Sequence, residues 1–170
     1  IELEKMSAVQ RVQGKGTFVT TNTPERALFH FFRLANKDGE RIIPTTNLLG
    51  MSVRQASPTE SQLFGFDTES LNLVEIRRLR SIKKGTDSVP TLIETILISA
   101  EMFPNIQNQT DLPDALYPYY QEKYHQSVLS AEENLTAVAA NFEEADLLGI
   151  KIGSPLLSVA RTARDLRGRT

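Results

Sequence analysis

The sequence predicts an α+β domain built on an antiparallel β-sheet flanked by short helices. Three observations predict it. Several stretches alternate apolar and polar residues at the two-residue period of a strand. Two tetrapeptides, Ser57-Pro58-Thr59-Glu60 and Asn141-Phe142-Glu143-Glu144, have the form of a capping box and open short helices between those strands. Glycine-bearing turn signals separate the strands at hairpin spacing, and hairpins give antiparallel sheets.

The elements follow in order. Ile1 to Met6 is helix-like, and the chain opens inside that run, so its front reads as cut from a longer structure. Val9–Val12 and Thr17–Thr20 are two short β-prone stretches joined by Gln13-Gly14-Lys15-Gly16, where glycine supplies the freedom of a tight hairpin. Residues 21–27 form a polar linker punctuated by Pro24. Leu28–Ala35 is aromatic-rich and reads as a strand, and Lys37-Asp38-Gly39 turns it back. Arg41–Val53 is an interrupted strand because Pro44 falls inside it. The first capping box then opens a helix to about Phe64. Leu73–Ile82 and Thr91–Ser99 are strands around a turn at Lys84-Gly85 and Asp87. Asp111-Leu112-Pro113-Asp114 opens a helix toward Tyr124 that Pro118 should disturb. Val128–Ala139 alternates as a strand, the second capping box starts a helix ending near Gly149, and Gly153-Ser154-Pro155 leads into a last strand, Leu156–Leu166. The Arg167-Gly168 turn after it leads to the expectation of a further strand.

Bulk properties exclude several classes. The 170 residues suit one domain, or one domain with a fragment, and 40% hydrophobic with 24% charged residues is ordinary for a globular chain. A net charge of −2 and a pI of about 5.8 argue against a stand-alone nucleic-acid binder, so any DNA contact would be a local patch. With no cysteine and only His30 and His125, thiolate and histidine-rich metal sites are excluded, and no metal or cofactor is expected. His30 sits in an aromatic strand and reads as a core residue. No apolar run approaches the ~18 residues of a membrane span. No signal peptide opens the chain, and a cytoplasmic setting is the expectation. No Ser-His-Asp spacing, Walker loop or HExxH motif is present.

Strand periodicity supplies the sharpest clue. In the 91–99 strand, Glu94 shares a face with Leu92, Ile96 and Ile98. In the 128–139 strand, Glu133 shares a face with Leu129, Ala131, Leu135, Ala137 and Ala139. In the 73–82 strand, Arg78 and Arg80 share a face with Ile76 and Ile82. A buried unpaired charge costs several kcal/mol, so these four must meet one another, water or a ligand. They are either structural Arg–Glu bridges or the lining of a polar cavity. In such a cavity the guanidinium groups would grip an anion and the carboxylates would accept from hydroxyl or amine groups. Tyr117, Tyr119 and Tyr120 lie on the neighbouring helix as candidate walls; helix packing is the preferred reading of Tyr119 and Tyr120.

Several stretches then match a known family. Gln13-Gly14-Lys15-Gly16-Thr17-Phe18-Val19 resembles the wing that closes the winged helix-turn-helix of GntR-type repressors. Phe32-Arg33-Leu34, Asp38-Gly39, Pro44, Arg78-Leu79-Arg80, Pro90, Glu94, Phe103-Pro104 and Leu116-Tyr117 resemble the UTRA effector domain of the HutC subfamily. So do Glu133, Ala137, Ala145, Leu147-Leu148, Gly153-Ser154-Pro155-Leu156-Leu157, Arg161 and Asp165. In order and approximate spacing these pieces run from Phe31 onward.

The resemblance implies a chorismate lyase-like fold for residues 28–170 that binds a small anionic metabolite and forms a homodimer. Residues 1–20 would be the end of the DNA-binding domain and 21–27 the linker. Effector contacts would be Arg78, Arg80, Glu94, Tyr117 and Glu133. The wing residues Gly14, Lys15 and Gly16 would approach DNA, glycine allowing close backbone approach and Lys15 supplying charge for phosphate. Many family members have serine two residues before the tyrosine, whereas this chain has Ala115. The missing hydroxyl points away from a sugar phosphate and leaves carboxylates and other anions open. The chain is thus expected to be the sensor of a regulator, a repressor by family resemblance, and not an enzyme. The recognition helix is absent from the sequence, so the 170 residues alone are expected to lack sequence-specific DNA affinity. The alternatives are a ligand-independent dimerisation domain with purely structural Arg–Glu bridges, or a chorismate lyase-like enzyme.

Overall fold

The structure is a computed structural model that describes residues 9–19, 34–35, 37–40, 42–65, 71–165 and 167–170. The expected helix at residues 1–6, the linker at 21–27, His30 and most of the 28–35 strand lie outside the described residues. The described strands form three antiparallel sheets. β1 (Val9–Val12) pairs with β2 (Gly16–Val19) as the predicted hairpin. Gly14 and Gly16 take φ of 78° and 114° in its turn, which glycine alone adopts without cost.

The main sheet has the order β3 (Thr45–Gln55), β4 (Asn72–Lys84), β5 (Asp87–Ser99), with β4 central. β3 begins just after Pro44 instead of running through it, so the proline costs the ladder no hydrogen bond. Two bulges adjust the sheet. One lies between Leu48 and Gly50, so Leu48 and Met51 come opposite Arg78 and Ile76. The other lies between Arg80 and Ser81 on β4, where Leu92 and Pro90 are the partners and Thr91 is extra. That bulge lets β5 extend back to Asp87, four residues before the predicted start, with Pro90 inside it.

One face of this sheet carries the core. Val74, Ile76 and Ile98 are buried with Phe103, Ile106, Leu112, Leu116 and Tyr120 from the segment after β5. Phe103 and Tyr120 pack with ring centroids 4.6 Å apart and planes tilted by 58°. The segment includes a single 3₁₀ turn, Ile106–Asn108, and a helix, Leu116–Tyr124. Packing of Tyr120, and partial packing of Tyr119, agrees with the expectation for both. The helix starts later than predicted: the backbone of Asp111–Asp114 is not helical, and Ala115 occupies the cap position without a side-chain bond. Pro113 accounts for part of the delay, since a residue before proline is pushed toward extended backbone. Pro118 does not disturb the helix, because it sits in the first turn, where amides have no helical partner.

Both capping boxes form as predicted. In α1 (Pro58–Leu63) the Ser57 hydroxyl accepts from the Glu60 amide at 3.3 Å and the Glu60 carboxylate accepts from the Ser57 amide at 2.8 Å. With the helix at Leu116–Tyr124 numbered α2, the second box opens α3 (Phe142–Leu148), with Asn141 and Glu144 exchanging bonds of 2.9 Å. Gly149 closes it in the left-handed conformation. α3 lies against β5, and Glu143 pairs with Arg77 of β4 at 2.7 Å.

β6 (Ser130–Ala139) and β7 (Pro155–Arg164) form the third sheet. Alternation predicts the odd face of β6 to be a core face. It is not: every residue of β6 is exposed. On that face Leu135 pairs with Val159 and Ala137 with Leu157, with Leu135, Val159 and Leu157 at 60%, 46% and 64% exposure. Among the described residues no helix is long and apolar enough to cross a membrane.

Candidate functional site

The site grows out of the main sheet's register. Residues directly opposite in an antiparallel pair point to the same side. Val74 faces Ile98, Ile76 faces Ile96, Arg78 faces Glu94 and Arg80 faces Leu92. On the other side of β4, Thr46 and Leu48 stand opposite Arg80 and Arg78. One face is therefore apolar toward one end and charged toward the other.

At the charged end a single carboxylate serves two guanidinium groups. Arg78 donates from Nε and Nη2 to Glu94 Oε2 at 2.9 and 2.5 Å. Arg80 donates from Nη1 to Glu94 Oε1 at 3.1 Å. Arg78 also donates from Nη1 to the Pro113 carbonyl at 3.2 Å, which fixes the chain leading into α2 above the sheet. The two arginine side chains are 3% and 4% exposed and Glu94 is 22% exposed, so water reaches the acid more than its partners. Burial lowers the Arg80 pKa from its ordinary value, against the attraction of Glu94 and, further off, Asp114. That direction is the mark of a cation held where positive charge is costly.

Two hydroxyls border this cluster. Tyr120 Oη and Thr46 Oγ1 are buried and have no hydrogen-bond partner among the described residues. Burial raises the Tyr120 pKa, with Arg78 pulling against it, so the hydroxyl stays neutral and within electrostatic reach of the arginine.

Glu133 is placed differently. Sequence periodicity groups it with the other three charges on core-facing positions; the structure sets it on exposed β6, opposite Arg161 of β7. Arg161 donates to Glu133 Oε1 from Nε at 2.8 Å and also from Nη2. Their side chains are 33% and 32% exposed. Tyr117 joins the two groups. It lies on α2 with its ring 6.4 Å from that of Tyr120, and Arg161 is hydrogen-bonded to its hydroxyl. Burial raises the Tyr117 pKa, with Arg161 opposing.

The structure thus brings Arg78, Arg80 and Glu94 together directly, and Tyr117 links Glu133 through Arg161. Arg161 was absent from the expected contacts, although it is one of the residues carrying the family resemblance. Its cross-strand pairing with Glu133 requires the register of a strand pair separated by α3, which strand periodicity does not fix. The Pro113 carbonyl is a backbone contact without a side-chain signature. The wing residues Gly14, Lys15 and Gly16 are exposed at the β1–β2 turn, apart from any of these contacts. Among the described residues, no three His, Asp or Glu side chains gather as a metal set.

Comparison with known proteins places this arrangement. The chain is 28% identical over 163 residues to the HTH-type transcriptional regulator SmoD of Agrobacterium fabrum, covering 96% of this chain and 65% of that protein. It is 27% identical over 154 residues to the HTH-type transcriptional repressor NagR of Bacillus subtilis, covering 89% of this chain and 60% of that one. The chain therefore spans about two thirds or less of the length of these curated relatives. The ligand-binding domain of a GntR-family transcriptional regulator from Bordetella bronchiseptica superposes with a TM-score of 0.69 at 26% identity, covering 81% of this chain and 83% of that one. PhnF from Mycobacterium smegmatis shares the fold at a TM-score of 0.68 and 18% identity, over 99% of this chain and 72% of its own. The family profile described as the UTRA domain matches residues 39–170, and the chain belongs to that family.

Proposed function

We propose that residues 28–170 form the effector-binding and dimerisation domain of a bacterial transcription regulator, and that its effector is a small anionic metabolite. Residues 1–20 would close the DNA-binding domain, and 21–27 would link the two. The observation that carries the effector reading is the convergence of two guanidinium groups at the charged end of the sheet. Arg78 and Arg80 are nearly fully buried and both bond Glu94. Buried, converging guanidinium groups are suited to grip an anionic group by charge-assisted hydrogen bonds. Arg78 and Arg80 would hold the anionic group, Tyr117 would form a wall, and Glu94 and Glu133 would accept from the ligand's donors. The kinship with HTH-type regulators supports a response read out on DNA.

Two further parts complete the reading. The exposed apolar pairs of β6 and β7 support a homodimer built on that hairpin, since large exposed apolar patches mark association surfaces. The β1–β2 turn, with Gly14, Lys15 and Gly16, would lie against the DNA backbone. Ligand would act by binding one dimer arrangement better than another.

One observation favours a second reading. Glu94 already bonds both arginines, so the cluster is also consistent with a structural bridge in a dimerisation domain without a ligand. A thermal-shift screen separates the two. The panel holds phosphorylated sugars, aromatic and imidazole carboxylates, amino acids and inorganic phosphate, each run on wild type and Arg80→Ala. A ligand at ~100 times its dissociation constant adds ~2.7 kcal/mol, several degrees of midpoint. The effector reading expects at least one stabilising anion whose effect disappears in Arg80→Ala while the variant stays folded. An Arg80→Ala protein that is stabilised as strongly as wild type would falsify the assignment. No stabilising anion would favour the structural bridge.

A further inference from the structure

We infer that Glu94 is a built-in competitor for the Arg78–Arg80 site and sets its specificity, excluding simple anions and admitting an anion that also carries an ammonium or hydroxyl donor. This rests on the reading of the site as an anion sensor and deepens it to a ligand class.

The geometry carries the inference. Glu94 uses both oxygens: Oε2 takes two donors of Arg78 at 2.9 and 2.5 Å, and Oε1 takes Arg80 at 3.1 Å. A carboxylate held by both guanidinium groups occupies the position that a ligand's own anionic oxygens would need. An entering anion therefore exchanges with Glu94 and does not fill a vacant cradle. The exchange leaves a displaced carboxylate next to a second negative charge, in a half-buried place where like charges repel strongly.

A bare anion has no means of offsetting that repulsion. A ligand that brings its own donor does, because the freed Glu94 accepts from it. Two hydroxyls without a hydrogen-bond partner among the described residues stand at the same end of the sheet and offer further neutral contacts, Tyr120 Oη and Thr46 Oγ1. Specificity of this form is a difference between two affinities, produced by penalising the wrong ligand as much as by holding the right one.

The neutral variant Glu94→Gln separates the competitor from an ordinary contact. Removing a contact weakens every ligand. Removing a competitor strengthens binding of the bare anion and erases the preference for the donor-bearing one. Binding of inorganic phosphate and of O-phosphoethanolamine is measured by titration calorimetry on the full-length protein, for wild type, Glu94→Gln, Glu94→Asp and Arg80→Ala. The expected wild-type preference is at least tenfold for O-phosphoethanolamine. Glu94→Gln is expected to bind phosphate at least tenfold more tightly than wild type, with the two probes within about twofold of each other. Glu94→Asp keeps the charge on a shorter arm and should fall between them.

If Glu94→Gln binds phosphate no better than wild type while Arg80→Ala abolishes binding, the competitor is overturned and the anion site stands. If neither probe binds wild type, the competitor falls together with this anion class. Where Glu94→Gln is too unstable to titrate, its folding at increasing phosphate is followed by circular dichroism. Rescue by millimolar phosphate supports the inference, and indifference to phosphate overturns it.

Discussion

The Arg–Glu cluster of the main sheet and the Arg–Glu pair of the β6–β7 hairpin are made of the same chemistry in two different solvents. In the first, arginine side chains 3% and 4% exposed share one acid. In the second, one arginine and one acid meet at about one-third exposure each. Water screens the hairpin pair and holds either partner that is left alone. It has little access to the two arginines of the cluster. The difference teaches that pairing geometry alone does not set the value of an ion pair; the cost of leaving one partner behind does.

Substitutions sharpen the contrast. The largest effect is expected for Glu94→Ala, which removes the carboxylate that both buried guanidinium groups bond. Loss of about 3–5 kcal/mol is expected by urea denaturation. A loss under 1 kcal/mol would mean that water or Asp114 already does most of the compensating. Next comes Tyr120→Phe, which deletes a buried hydroxyl that has no hydrogen-bond partner among the described residues. Its removal is expected to stabilise the ligand-free protein by about 1 kcal/mol, because a buried unsatisfied group costs roughly that much. A destabilised variant would show that ordered water or a bound group satisfies the hydroxyl. The smallest effect is expected for Arg161→Met, at roughly 0.2–1 kcal/mol after allowing for solvent screening. A larger loss would indicate that the bond to the Tyr117 hydroxyl, or a cover over the hairpin face in solution, adds to the pair. Repeating that measurement across protein concentrations would tell whether a second copy is the cover.

The same contrast explains which parts were legible in the sequence. Alternation on β5 places Leu92, Glu94, Ile96 and Ile98 on one face, and the structure pairs them with Arg80, Arg78, Ile76 and Val74 of β4. The two capping boxes were equally readable, because a cap is a local bargain among four residues. Alternation on β6 is just as clean, yet its apolar face is exposed. A period of two states which residues share a side; it says nothing about what covers that side. β3 was harder because the bulge between Leu48 and Gly50 shifts the phase of its pattern. The start of α2 is not legible because a polar, proline-bearing segment resembles a helix opening in composition while its backbone stays non-helical. In the site, Arg78, Arg80 and Glu94 could be found from charges on apolar faces. Arg161 and the Pro113 carbonyl could not, since the first depends on a long-range register and the second is backbone.

The bulge beside Pro90 bears on how the molecule behaves in a crowd. β5 is an outer strand of its sheet among the described residues, and an outer strand offers unpaired backbone groups to any passing chain. Thr91 stands out of register and Pro90 has no amide, so the outward row of donors and acceptors is broken part way along. A neighbouring strand that began to zip onto β5 would lose its register there. The irregularity that lets β5 continue past Arg80 thereby also works as a guard against sheet-to-sheet aggregation while the protein is concentrated or newly made.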